Sequence, residues 1–176
     1  MTDEARHERI MAEAESIKAL GEASESTAPY PVNQATIGTW MDAMGYHNER
    51  FTSGEAPPSM ALVWTMPGLG RRRPPEDPLT RMTEFLTKEG YSAVLGTNCE
   101  QSYDRYLRVG EQVRVTTALD SVVGPKSTGM GVGYFVTSRS TWYVGEERVA
   151  TMLFRVLKFI STSSIRRIPE AQGGGA

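Results

Sequence analysis

Cysteine, histidine and net charge are all scarce in this sequence, and each scarcity removes a class of explanation. One cysteine, Cys99, rules out an intrachain disulfide and suits a reducing compartment. His7 and His47 are the only histidines, so no Cys/His cluster exists and no structural zinc is expected. A formal charge of −2 over 176 residues gives no long-range field for nucleic acid or an anionic membrane. No apolar run approaches the roughly 20 residues that span a bilayer, and the N-terminus is polar, without the apolar stretch of a secretory signal. A cytoplasmic location follows as the expectation. No internal repeat is visible either.

What is there suffices for one domain with a real core, at 39% hydrophobic and 23% charged residues. Thr2–Leu20 carries Ile10, Ala14, Ile17 and Leu20 at helical spacing with Gly21 beyond, which predicts an amphipathic helix. Glu22–Tyr30 reads as loop. Asn33 is a candidate N-cap for a helix over Gln34–Met44, with Ile37, Trp40, Met41 and Met44 on one face and Gly45 as its stop. Tyr46–Glu55 reads as loop. Ala56–Met66 then reads as a buried helix: Pro57 and Pro58 suit a first turn, the residues after them are nearly all apolar, and Pro67-Gly68 ends it. A helix apolar on almost every face has to be wrapped. After Gly68–Pro78, an exposed connection carrying Arg71–Arg73, a shorter helix is expected over Leu79–Lys88.

From Tyr91 the period changes to that of strands, beginning over residues 91–104. Val113, Val115, Thr117 and Leu119 alternate along the next one, and turns are expected at Arg108–Glu111 and Gly124–Ser127. Gly131–Val144 and Arg148–Ile160 read as long strands joined through Gly145-Glu146. Ser161–Ala176 loses all periodicity and reads as a flexible linker. Helices first and then four strands in meander order predict an α+β fold, a curved antiparallel sheet wrapped around a central helix, the hot-dog architecture. The expected divisions are residues 1–30 (helix and loop), 31–160 (the hot-dog domain) and 161–176 (tail). Open sheet edges predict pairing with a second copy or a relative.

Local matches to other chemistries fail on spacing. Gly124-Pro125-Lys126-Ser127-Thr128 lacks the Gly before Lys that a phosphate loop needs, and a strand turn explains it better. Val132–Val136 echoes the aromatic strand of an RNA-binding sheet, but no second aromatic strand accompanies it. Arg71–Arg73 could hold a phosphate or form a solvated basic turn. Cys99 is expected to be a small core residue.

One constellation carries more. Gly45-Tyr46-His47-Asn48-Glu49-Arg50-Phe51, then Ala56-Pro57-Pro58-Ser59-Met60, resembles the N-terminal domain of MaoC-like dehydratases, relatives of R-specific enoyl-CoA hydratases. Their pattern is a helix, then Asp-x-Asn-Pro-x-His, then a loop to Ala-Pro-Pro and the central helix. Tyr106–Glu111 resembles the family's Arg-Pro-x-x-Pro-Gly-Asp turn, and the likeness runs from about Pro31 to Phe159. Asn98–Gln101 and Val123–Lys126 are most similar to the larger, OB-fold-fused subunit of actinobacterial steroid side-chain enoyl-CoA hydratases.

The resemblance implies an acyl-CoA substrate and no separate cofactor, but the catalytic pair does not carry over. With Asn48 on the motif's Asn, Tyr46 stands at the Asp position and Phe51 at the His position. Phenylalanine moves no proton, and a phenol of ordinary pKa near 10 is a poor base at neutral pH. His47 is the one titratable neighbour that could substitute. The intervening loop is also short, Thr52–Glu55.

The expectation is therefore a hot-dog subunit of a heteromeric enoyl-CoA hydratase, acting on a bulky thioester such as a steroid side chain, with a partner subunit supplying Asp and His. Asn48, Met60, Trp64 and Met66 are its candidate substrate-binding residues, and Arg71, Arg72 and Lys126 its candidate CoA-binding ones. A C-terminal OB-fold domain and a thiolase-like aldolase are the further partners the resemblance implies. The alternatives are a scaffold domain that docks other pathway enzymes and a self-sufficient homodimeric hydratase using His47.

Overall fold

A computed structural model describes residues 2–68 and 74–161. Its centre is a five-stranded antiparallel sheet in the order β1-β3-β4-β5-β2. The strands are β1 (Ser24–Thr27), β2 (Ala93–Tyr103), β3 (Val113–Thr128), β4 (Gly131–Val144) and β5 (Glu147–Ser161). The helices are α1 (Asp3–Lys18), α2 (Gln34–Met44), α3 (Glu49–Thr52), α4 (Ala61–Trp64) and α5 (Pro78–Lys88), with a 3₁₀ turn over Pro58–Met60. The α+β class and the antiparallel sheet stand as expected.

Strand order departs from a simple meander. β3, β4 and β5 follow one another by hairpins, but β2 pairs with β5, from Ala93 opposite Phe159 to Tyr103 opposite Ala150. A fifth strand, β1, lies within the segment expected to be loop and pairs with the start of β3, Ser24 opposite Thr117. The expected turn at Gly124–Ser127 is instead inside β3. There the ladder skips between Val123 and Lys126, because Pro125 has no N–H to give it. Gly124 is needed at that point: a Cβ on it would sit 2.7 Å from the Tyr134 ring. The chain turns later, where the Met130 N–H donates to Thr128 Oγ1 at 3.2 Å.

Alternation gives the sheet an inner face. Val113, Val115, Thr117 and Leu119 of β3 stand beside Val144, Trp142, Ser140 and Ser138 of β4, and Trp142, Ser140, Ser138 and Val136 beside Ala150, Met152, Phe154 and Val156 of β5. Two apolar clusters cover this face. One holds Ile10, Ala14 and Ile17 of α1 and Leu79, Met82 and Leu86 of α5 against Leu119, Tyr134, Val136 and Val156. The other holds Ile37 and Met41 of α2, Phe51, Met60, Ala61 and Trp64 against Val113, Trp142, Val149, Ala150 and Met152.

Helix bounds follow their caps. The Asn33 side chain accepts from the Thr36 N–H at 2.9 Å, and Gly45 closes α2 in the left-handed region at φ 61. Asp77 accepts from the Thr80 N–H at 2.9 Å, with Pro78 as the first helical residue of α5. Leu20 and Met44 lie beyond the buried faces and are exposed. The expected helix over Ala56–Met66 contracts to the 3₁₀ turn and the single turn α4. Its start is lost because the Ala56 N–H donates to Leu107 O at 2.7 Å and Pro57 remains extended at ψ 133. Its end is lost because Thr65 leaves the helical region, with its hydroxyl accepting from Trp142 Nε1 at 2.9 Å. The long helices against the sheet are α1, which packs on β3, and α5, which packs on β3, β4 and β5. Cys99, expected in the core, is exposed on the edge strand β2. No helix among the described residues is long and apolar enough to cross a membrane.

Candidate functional site

The loop after α2 carries the family-like motif, and local hydrogen bonds fix its course. Gly45 turns the chain, and the Tyr46 N–H returns to Met41 O at 3.0 Å. Asn48 then caps α3: its Oδ1 accepts from the Arg50 N–H at 3.0 Å, while its Nδ2 donates to the Tyr46 hydroxyl at 3.2 Å. Phe51 turns inward and is 5% exposed, with Tyr46 and Tyr106 rings at 6.0 and 6.1 Å from its own. Gln34 Nε2 donates to its carbonyl at 2.8 Å, tying α3 back to α2. Position 51 is therefore a packing position. The Tyr46 ring is half-exposed beside it, and His47 is exposed, with no hydrogen bond or ion pair among the described residues.

The other expected site residues do not converge on this loop's surface. Met60 is fully buried and Trp64 nearly so, both in the apolar cluster beneath the loop. Met66 is exposed beyond the end of α4. Lys126 is exposed near the far end of β3, about 40 Å along the strand from Val113 at roughly 3.3 Å per residue. Arg71 and Arg72 lie outside the described residues. No group of three or more potential metal ligands occurs among the described residues.

Beside the loop the structure brings together residues the sequence reading did not select. Arg50, Ser53, Gly54, Glu55, Arg108 and Val109 line an open cleft of about 580 Å³. Glu55 and Arg108 pair across an antiparallel bridge, with the Val109 N–H donating to Gly54 O at 2.9 Å. Arg50 Nε donates to Glu55 Oε2 at 2.7 Å, and this bond holds the Glu55 carboxyl below the usual carboxylate range. The Arg50 guanidinium also lies 4.3 Å over the Tyr106 ring. Behind them, Arg105 bonds both Glu111 at 3.0 Å and Glu147 at 2.8 Å, which raises its pKa further. The available signal was the charge pattern around Phe51, with Arg50 before it and Glu55 after, but pairing with Arg108 is a tertiary fact.

Comparison with known proteins sets this arrangement in a family. A model of the FAS1-like dehydratase domain region matches residues 3–152. The chain is 42% identical over 165 residues to the 3-oxo-4,17-pregnadiene-20-carboxyl-CoA hydratase alpha subunit of Mycobacterium tuberculosis, covering 88% of this chain and 53% of that protein. It is 32% identical over 144 residues to a probable enoyl-CoA hydratase alpha subunit of Thermomonospora curvata, covering 73% of this chain and 45% of that one. The chain thus spans about half the length of the curated relatives it matches. Among solved structures, a chain of the ChsH1-ChsH2 complex from Mycobacterium tuberculosis superposes with a TM-score of 0.83 at 41% identity, over 89% of this chain and 99% of that one.

Proposed function

The chain belongs to the FAS1-like dehydratase domain family, and from that premise we propose that it is the substrate-shaping half of a heteromeric enoyl-CoA hydratase. In this reading a partner subunit carries the Asp and His that add water across the C2=C3 bond of an enoyl thioester. One observation carries the division of labour: Phe51, at the position matching the family's His, is buried under two aromatic rings and cannot move a proton. The hydratase names of two relatives and the two-component complex of the similar structure support the same reading. So does β2, an edge strand exposed over nearly its whole length, with Val94 60% and Leu95 46% exposed.

The substrate class rests on the relative whose name includes a pregnadiene carboxyl-CoA. A steroid side-chain thioester is the first to test. Chain alone, partner alone and the co-expressed pair are assayed for loss of the enoyl absorbance. The expected result is hydration by the pair and none by this chain alone. Full activity of the purified chain by itself sinks the reading and favours the homodimeric alternative. The same co-expression, followed by affinity capture, tests the OB-fold and thiolase-like partners.

A further inference from the structure

The cleft beside the motif loop has no part in the division of labour above, yet its side chains are arranged for an anion. Every described arginine except Arg108 directs its side chain to a protein acceptor. Arg6, Arg9, Arg50, Arg81, Arg105, Arg114, Arg139 and Arg148 bond carboxylates, and Arg155 bonds Thr137. Arg108 alone donates only through its backbone N–H, to Glu111 Oε2 at 2.8 Å. Arg108 lines the cleft, and its guanidinium has no bonded partner among the described residues, although it lies close enough to Glu55 and Glu147 to help hold both carboxyls down. Arg50, on the same cleft, is gripped through Nε by Glu55 and stacked on Tyr106. That leaves its terminal N–H groups for another acceptor. Among the side chains that line the cleft, two cations face the single carboxylate of Glu55, with Glu147 also within electrostatic reach of Arg108.

Backbone hydrogen bonds hold together the two segments that carry these arginines. The Ala56 N–H to Leu107 O bond (2.7 Å) and the Val109 N–H to Gly54 O bond (2.9 Å) clamp residues 54–56 against residues 107–109. Arg50 is the second residue of the helix that Asn48 caps, two residues from the motif's Asn. Two guanidinium forks suit an anion with several oxygens spread over two centres. A single carboxylate would use only one fork.

We propose that Arg50 and Arg108 form a subsite for an organic diphosphate, occupied in the working enzyme by the pyrophosphate of the acyl-CoA nucleotide. The choice of occupant rests on the hydratase reading; the diphosphate chemistry does not. A free nucleoside diphosphate presents the same group, and the experiment separates the two.

In the complex of this chain with its partner, KM is measured for one enoyl group carried on CoA and on pantetheine, which lacks the diphosphate. Arg108→Glu is expected to raise KM for the CoA ester about tenfold, as reversal of a charged fork contact does. The preference for CoA over pantetheine falls correspondingly, and the effect shrinks at about 0.5 M salt. Arg108→Lys, which keeps the charge and loses the fork, falls between. Equal shifts for both esters, or none for either, overturn the subsite. ADP binding to the chain, read by NMR shifts of the cleft residues, is the second arm. If the complex hydrates neither ester, the hydratase reading has failed and ADP judges the cleft alone: binding weakened severalfold by Arg108→Glu supports it, and binding that is absent or unaltered overturns it. ADP binding that Arg108→Glu weakens, together with an unmoved CoA ester KM, overturns CoA as the occupant.

Discussion

The two ends of the sheet's inner face are covered by different means. At one end lie α1 and α5, of 16 and 11 residues, joined to each other by Arg9–Glu89 and Arg81–Glu13 ion pairs. At the other lie α2 and three single turns, of which α3 and α4 have four residues each. Both ends bury comparable side chains. A single turn cannot stabilise itself, since helix nucleation costs more than one hydrogen bond returns. The second end is therefore held by ties from outside: Gln34 to Phe51 O, Ala56 to Leu107 O, and Trp142 to Thr65. Long helices make a self-supporting cover, and short turns make a surface whose shape is set by distant residues. The family-like motif and the arginine cleft both sit at the second end.

If the first end is only scaffold, breaking it should cost stability and nothing else. Met82, fully buried on α5, is the test. Met82→Ala is expected to lower the unfolding free energy by about 2–5 kcal/mol, read by urea denaturation, with substrate discrimination by the assembled complex unchanged. The matching change at the second end is Met60→Trp. Overpacking that buried site costs about 1–3 kcal/mol, and a steroid thioester should suffer far more than a four-carbon enoyl-CoA. If Met82→Ala shifts discrimination and Met60→Trp does not, the roles of the two ends are reversed.

The caps allow a finer comparison. Asn33 accepts from the Thr36 N–H at 2.9 Å, whereas Thr2 accepts from the Ala5 N–H at 3.4 Å, near the limit of a hydrogen bond. Asn33→Ala should cost about 1 kcal/mol and Thr2→Ala clearly less. Thermal unfolding of the two variants decides; equal losses would mean that cap geometry does not set helix strength here.

Legibility in the sequence followed the same division. Asn33 and Gly45 marked both ends of α2, and Gly145-Glu146 marked the β4–β5 hairpin, because caps and tight turns are local. The alternation of Val113, Val115, Thr117 and Leu119 found the inner face. The position of β2 outside β5 was invisible, since alternation fixes a strand's face and not its neighbour. β1 hid because Ser24–Thr27 is polar, with only Ser24 buried. The helix over Ala56–Met66 was overread because its apolar residues are real, while the bonds that cut it short come from Leu107 and Trp142. At the site, Tyr46, Asn48 and Phe51 were found by motif, and the partnership of Arg50 and Glu55 with Arg108 needed the fold.

Lys158 sharpens the contrast at the scaffold end. It lies at 4% exposure, donating to Thr87 Oγ1 at 2.8 Å and Ser92 O at 3.2 Å, with no carboxylate among the described residues bonded to it. Burial lowers its pKa from the ordinary 10.5. The unfolded chain then holds the proton more tightly than the folded one, so this residue's contribution to stability rises with pH from the folded pKa up to about 10.5. Lys158→Met should abolish that rise while leaving the complex's turnover alone. Stability curves of the two proteins that run parallel from neutral pH to pH 10.5 would argue against the assignment.

The smallest expected effect falls at the motif loop. His47 is exposed, and no acid or hydroxyl among the described residues is bonded to orient it or select a tautomer. A general acid or base must be held within hydrogen-bond reach of the proton it moves, and removing one costs about 10²- to 10⁴-fold in rate. Nothing in this loop meets that condition: Asn48 is spent on the α3 cap and on Tyr46, and Phe51 is packed beneath Tyr46 and Tyr106. His47→Ala should therefore leave turnover of the assembled complex within a few-fold of wild type, with no change in the shape of its pH profile. The profile matters more than the rate, since a positional disturbance of the loop can slow turnover without removing an ionisation. Loss of one limb of the profile together with a hundredfold drop in rate would place the proton-moving group in this chain after all.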